Sequence, residues 1–117
     1  MSTPAKNRED HVYRLHADIC QTLANPKRLK IINLLREKEI STTELLQALK
    51  VPKANLSQHM GVLRQKGVVV ARREGNTVYF RLAHPKILKA FDLMRELLFE
   101  VMEDQQRLLR EYGGKKK

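Results

Sequence analysis

The sequence predicts a mainly helical domain with one β-hairpin, in the order helix, helix, helix, helix, strand, strand, helix. Three observations carry this. Apolar residues recur three and four apart through the segments on either side of residues 68–81, the helical period. Val51-Pro52 parts two of those segments with a tight turn. Residues 68–81 then switch to β-branched and aromatic side chains around a polar Gly75-Asn76 centre.

The elements follow in order. Residues 1–7, with Pro4 among small polar neighbours, read as a disordered lead-in to a folded domain over residues 8–112. Val12, Leu15, Ile19 and Leu23 share a face of a first helix over 8–23. Asn25-Pro26 restarts the chain, since Asn caps well and Pro is tolerated at the first helical position. A second helix over 26–38 then buries Leu29, Ile32 and Leu35, widened by Ile31 and Leu34. Ser41-Thr-Thr-Glu44 has the form of a capping box and opens a third helix through Leu49, buried by Leu45, Leu46 and Leu49. A fourth helix spans 53–66 and stops at Gly67, a suitable C′ residue. Val68–Ala71 and Thr77–Arg81 form the hairpin. A last helix runs from Pro85 to about residue 112, with Ile87, Phe91, Met94, Leu98, Val101 and Leu108 on a heptad seam. Residues 113–117 read as a basic, solvated tail.

Charge points to a partner. The chain carries +10, and residues 50–81 hold +6 of it: Lys50, Lys53, Arg64, Lys66, Arg72, Arg73 and Arg81 against Glu74 alone. Such a concentration suits a polyanion, nucleic acid before an acidic membrane surface. No apolar run approaches the ~18 residues that span a bilayer, and the N-terminal residues lack a hydrophobic signal core. A cytoplasmic, nucleoid-associated protein without a membrane partner is expected. Cys20 is the single cysteine, which excludes an intrachain disulfide and any multi-cysteine metal site in one subunit.

On the fourth helix, Leu56, Met60 and Leu63 fall within about 40° of one another and make the buried stripe. The opposite face is Ala54, Gln58, Gly61 and Gln65, flanked by Asn55 and Ser57. It is polar, short and nearly uncharged, where a solvated helix in so charged a chain would carry Glu and Lys. Asn and Gln pair bidentately with adenine, and Ser meets several base edges. Lys50, Lys53 and Arg64 are placed to hold backbone phosphates, and Arg72, Arg73, Asn76 and Thr77 at the hairpin to reach phosphates or the adjacent minor groove. Together these predict a helix-turn-helix with a basic hairpin, aimed at duplex DNA. A compact basic domain with a solvated hairpin is the plainer reading.

The stretch LANPKRLKIINLLREKEISTTELLQALKVPKANLSQHMGVLRQKGVVVARREGNTVYFRL resembles the winged-helix core of the ArsR/SmtB bacterial transcriptional regulators, most specifically in LANPKRLKII, LSQHMGVLRQKGVV and ARREGNTVYFRL. The resemblance covers about residues 12–100. It implies a homodimer that binds an inverted-repeat operator and usually represses. It also implies a recognition helix at residues 53–66 with contacts at Ala54, Ser57, Gln58 and His59, and dimerisation through the first and last helices. The expected dimer residues are Val12, Leu15, Ile19, Phe91, Met94, Leu98 and Val101.

Family members often release DNA when a metal or thiol-reactive species binds. One familiar site is a cysteine pair on the helix before the turn, but here that helix reads TTELLQAL. Another uses Asp and His pairs on the last helix, which has no histidine after His84. His16 and Cys20, four apart with His11 upstream, are the remaining sensor candidates; the plainer reading makes Cys20 a small buried hydrophobe and His16 a surface or satisfied histidine. Asp92, Glu96 and Glu100 form an acidic ridge best read as a solvated face. No metal site and no cofactor are expected, and the effector stays unidentified.

An enzyme is not expected either: the chain has no glycine-rich phosphate loop, no Gly-x-Ser-x-Gly and no His-Glu-x-x-His. The few aromatics, Phe91 and Phe99 on the long helix among them, suit a core or dimer seam better than a base-stacking platform. A protein-interaction winged helix and a sequence-indifferent DNA-architectural protein stand as alternatives.

Overall fold

The computed structural model describes residues 4–113 and divides after His84 into two units. The first holds α1 (Pro4–Leu23), α2 (Pro26–Leu34), β1 (Ile40–Ser41), α3 (Thr42–Leu49), α4 (Lys53–Gln65), β2 (Val69–Glu74) and β3 (Thr77–Leu82). The second is α5 (Pro85–Leu108), finishing in a π-helical turn over Leu109–Gly113. Among the described residues no helix is long and apolar enough to cross a membrane.

Helix α1 begins at Pro4, where the missing N–H is no loss in a first turn, so residues 4–7 are helical rather than disordered. The rest of that lead-in and the tail after Gly113 lie outside the described residues. Asn25 caps α2 as expected, its side-chain oxygen accepting from the Lys27 and Arg28 amides at 2.9 and 3.2 Å. The helix ends at Leu34, four residues short of its expected end, because the following residues turn to bring Ile40 and Ser41 beside β3. The Asn33 side chain closes that end by accepting from Arg36 at 3.0 and 3.2 Å.

Strand β1 was not anticipated. The hairpin is therefore part of a three-stranded antiparallel sheet, order β1-β3-β2, with Ile40 opposite Phe80 and Ser41 opposite Tyr79. Ser41 ends the strand and caps α3 at once. Its Oγ accepts from the Glu44 amide at 3.2 Å, and Glu44 Oε1 accepts from the Ser41 amide at 3.2 Å, completing the capping box. The Thr42 hydroxyl donates to the Val78 carbonyl at 3.3 Å, pinning the start of α3 to β3.

Between α3 and α4, Lys50 takes the left-handed conformation (φ 55°, ψ 46°) and Pro52 stands at the N-cap. At the other end of α4, Gly67 (φ +76°) lets the Val68 amide reach the Leu63 carbonyl at 2.9 Å and the Gly67 amide reach that of Arg64 at 3.0 Å, a Schellman closure that turns the chain straight into β2. The first unit's core is Ile31, Ile32, Leu35, Leu45, Leu49, Leu56, Met60, Leu63, Val68, Val69 and Phe80. Ile31 takes the place expected for Leu29, which is only half-buried. Asp18 on α1 pairs with Lys66 at 2.8 Å, tying α1 to the end of α4.

Candidate nucleic-acid interface

The buried stripe of α4 is the predicted one: Leu56, Met60 and Leu63 are at most 3% exposed. Fixing that stripe fixes the rest of the wheel. Ala54, Ser57, Gln58, Gly61, Arg64 and Gln65 are exposed, and Asn55 is half-exposed. Lys53, Ser57, Gly61 and Arg64 line one side of a groove of about 500 Å³, while Arg73, Asn76 and Thr77 line the other and Thr42 and Thr43 one end. Leu56, Met60, Val78 and Phe80 form its floor. Lys53, Arg64 and Arg73 make no ion pair with any described residue, so three cations line a cleft in which Ser57 and Gly61 are the uncharged part of the helical wall.

Gly61 sits mid-helix, where glycine costs about 1 kcal/mol relative to alanine. A Cβ built there meets nothing within 4 Å. Nothing inside the chain requires the glycine; it opens the groove wall to whatever lies outside.

Two of the predicted contact residues are committed elsewhere. His59 turns toward α2, where its Nδ1 accepts from Arg28 Nε at 3.3 Å, while Arg28 Nη1 donates to the Thr22 carbonyl at 3.1 Å. Burial, and then the positive charges of Arg28 and Lys27, hold the His59 imidazole below its ordinary value. Its accepting nitrogen must be unprotonated, so the neutral form is the one that joins α4 to α2. Stability tied to this contact is therefore present above the usual imidazole value of about 6.5 and is lost as pH falls through the lowered one. Thermal midpoints of the wild type should drop between about pH 8 and about pH 5 more than those of His59→Gln, which accepts from Arg28 at any pH. Identical pH profiles would remove this role from His59.

Arg72 is the second. It was expected to reach DNA beside Arg73, yet successive strand residues face opposite sides, and Arg72 points away from the groove. Its Nη2 lies 2.8 Å from Glu39 Oε1 and its Nη1 2.6 Å from Glu74 Oε2. Hydrogen bonds from Arg72 keep the Glu39 carboxyl below the ordinary carboxylate range, and those to Glu39 and Glu74 keep the guanidinium charged. Sequence reading missed the partner because Glu39 lies 33 residues upstream, before a strand of two residues that is too short to show an alternating pattern.

The expected dimer residues on α1 are all exposed in the single chain: Val12 60%, Leu15 53% and Ile19 39%. On α5, Met94, Leu98 and Val101 are exposed likewise, together with Leu93, Leu97, Phe99 and Met102, so the apolar surface is wider than a strict heptad seam. Phe91 differs. It is already buried in the single chain, with the Arg95 guanidinium 4.6 Å over its ring, and adds little open area to a seam.

His16 and Cys20 are both exposed in the single chain. Among the described residues no group of three or more His, Cys, Asp or Glu side chains is placed to hold a metal ion.

Known proteins share this arrangement. The profile of the arsR family of bacterial regulatory proteins matches residues 25–70, from the cap of α2 into β2. The HTH-type transcriptional regulator Rv0081 of Mycobacterium tuberculosis is 40% identical over 99 residues, 84% of this chain and 87% of its own. Its crystal structure superposes with a TM-score of 0.76 over 89% of this chain and 98% of that one. The biofilm growth-associated repressor of Xylella fastidiosa is 37% identical over 87 residues, 73% of this chain and 76% of its own. The solution structure of the homodimeric winged helix-turn-helix DNA-binding domain Mb0332 from Mycobacterium bovis matches with a TM-score of 0.75 at 29% identity, covering 83% of this chain and 90% of that one. On the profile match, the identity to Rv0081 over most of both chains and the superposition on its structure, the chain belongs to the ArsR family of bacterial regulatory proteins.

Proposed function

We propose that the chain is a transcriptional repressor that binds an inverted-repeat operator as a homodimer, setting α4 of each subunit into successive major grooves about 34–36 Å apart. The observation that carries this reading is the groove between α4 and the wing, where Lys53 and Arg64 on the helix and Arg73 on the wing flank the uncharged Ser57 and Gly61. Cations at the margins neutralise phosphates and set orientation, while short polar side chains on the wall discriminate bases. Ser57, which lines the groove, and Ala54, Asn55 and Gln58, which lie outside it on the same helix, are the base-facing group; Lys53, Arg64, Arg73, Asn76 and Thr77, with Lys50 outside the groove, are the backbone-facing group. Lys50 ends α3 in the left-handed conformation, its amide donating to the Leu46 carbonyl, and so stands at the turn into α4.

The exposed apolar surfaces of α1 and of α5 would each be covered by the partner subunit, and the Mb0332 domain, similar in fold, is homodimeric. Repression follows from occlusion of promoter DNA, in the cytoplasm and on the nucleoid, with no cofactor and no catalytic step. An effector, where one acts, would favour a dimer in which the two α4 helices no longer match the operator spacing. Competition binding at fixed salt tests the reading. The operator is expected to outcompete mixed-sequence duplex by ~10³ or more. Equal affinity for every duplex would instead make this an architectural protein, and no affinity for any would leave a protein-interaction domain.

A further inference from the structure

Arg72 and Arg73 are neighbours in sequence with opposite surroundings. Arg73 lines the groove beside α4. Arg72 leaves the other face of the sheet and crosses the middle strand: its guanidinium carbon lies 4.7 Å over the Tyr79 ring, and Tyr79 stands opposite both Arg72 on β2 and Ser41 on β1. Beyond Tyr79 it meets Glu39, two residues before Ser41 and so on the same face. Nε reaches Glu39 Oε2 at 3.1 Å and Nη2 reaches Oε1 at 2.8 Å, a bidentate fork. Nη1 turns to Glu74, two residues along its own strand, at 2.6 Å. One arginine thus occupies two carboxylates, one from the segment before β1 and one from the wing.

The fork ties the segment before β1 to the wing, while the pair with Glu74, at 49% and 69% exposure, is screened by solvent. Sequence-indifferent affinity for DNA grows with the number of phosphates neutralised, whereas specificity is the ratio of operator to bulk affinity. A second free arginine on β2 would raise both affinities together and add nothing to base discrimination.

We propose that Glu39, together with Glu74, masks Arg72 and so leaves Arg73 as the phosphate-binding arginine of β2, making Glu39 a residue that holds down sequence-indifferent affinity without touching DNA. The inference rests on the DNA-binding reading above. It makes Arg73 the electrostatic contact of β2 and Arg72 a cation held in reserve.

The test is the salt dependence of binding to a mixed-sequence duplex by four variants beside the wild type. Arg73→Ala removes one contact per subunit and should flatten the slope of log K against log[salt] by about 1.8 per dimer, roughly 0.9 per phosphate. Arg72→Ala should leave the slope as it is. Glu39→Gln/Glu74→Gln should steepen it by about 1.8 and raise affinity for operator and mixed-sequence duplex alike. Adding Arg72→Ala to that pair should restore the wild-type slope, whereas a general effect of two lost negative charges would persist. Masking is overturned if Arg72→Ala flattens the slope as Arg73→Ala does, or if the triple variant stays steep. A silent Arg73→Ala would bring down the DNA-binding role of the wing itself. The pairing is read without DNA: by NMR titration, Glu39 should ionise below the ordinary carboxylate range in the wild type and return to it in Arg72→Ala.

Discussion

Leu98→Glu is expected to yield a monomer in analytical ultracentrifugation and to lower operator affinity by about a thousandfold. Leu98 is 53% exposed in the single chain, so a glutamate there leaves the chain's own folding intact, and far-ultraviolet circular dichroism should not change. Around it, Met94, Leu97, Val101 and Met102 present an apolar strip that one chain alone leaves to water. In a two-fold dimer the substitution appears twice on a self-complementary surface, so two carboxylates enter an apolar seam and each loses its hydration without a counter-charge. The loss of DNA affinity follows from geometry rather than from any contact at residue 98. A dimer delivers its second recognition helix at the effective concentration set by the first, a gain of about 10²–10⁴ that a monomer forfeits. A Leu98→Glu dimer of wild-type affinity would place the seam elsewhere.

The parts of this fold legible in the sequence are those written in local chemistry. Asn25-Pro26, the Ser41/Glu44 box, Val51-Pro52 and Gly67 each fix a helix end through residues within a few positions, and each end is found where those residues put it. The wheel of α4 was equally readable, since burying Leu56, Met60 and Leu63 leaves one orientation for Ser57 and Gln58. The illegible parts depend on partners far along the chain. Strand β1 exists because Ile40 and Ser41 meet Phe80 and Tyr79, and that pairing shortens α2. Helical periodicity in α2 continues through Leu35 with no stop signal, so only the tertiary contact shows where it ends. The wing shows the same limit. Net charge counts Arg72 and Arg73 alike, and strand alternation sends them to opposite faces, but only the Glu39 contact shows that Arg72 is spoken for.

Gln58→Ala should relax sequence preference at the operator, by about 2–6 kcal/mol for the dimer if each subunit loses one bidentate base contact of roughly 1–3 kcal/mol. That is about 30-fold to 10⁴-fold, with affinity for mixed-sequence duplex and its salt slope unchanged, because no phosphate contact is removed. Gln58 is exposed and alanine is the better helix former, so no loss of stability can stand in for the loss of specificity. Gly61, one turn further along the same exposed wall, supplies the complementary case. Gly61→Ala should raise stability by about 1 kcal/mol, or roughly 4–8 °C in Tm for a domain of this size. The added methyl meets nothing within 4 Å in the chain and so introduces no clash of its own. It does project into the groove between Ser57, Arg64 and Arg73, where a docked duplex would have to accommodate it. Stability and operator affinity should therefore move in opposite directions, a signature that general destabilisation cannot produce. A Gly61→Ala protein that melts later and binds its operator as well as before would mean that DNA does not approach this wall closely. A Gln58→Ala protein with preference intact would move the reading face off α4's exposed side altogether.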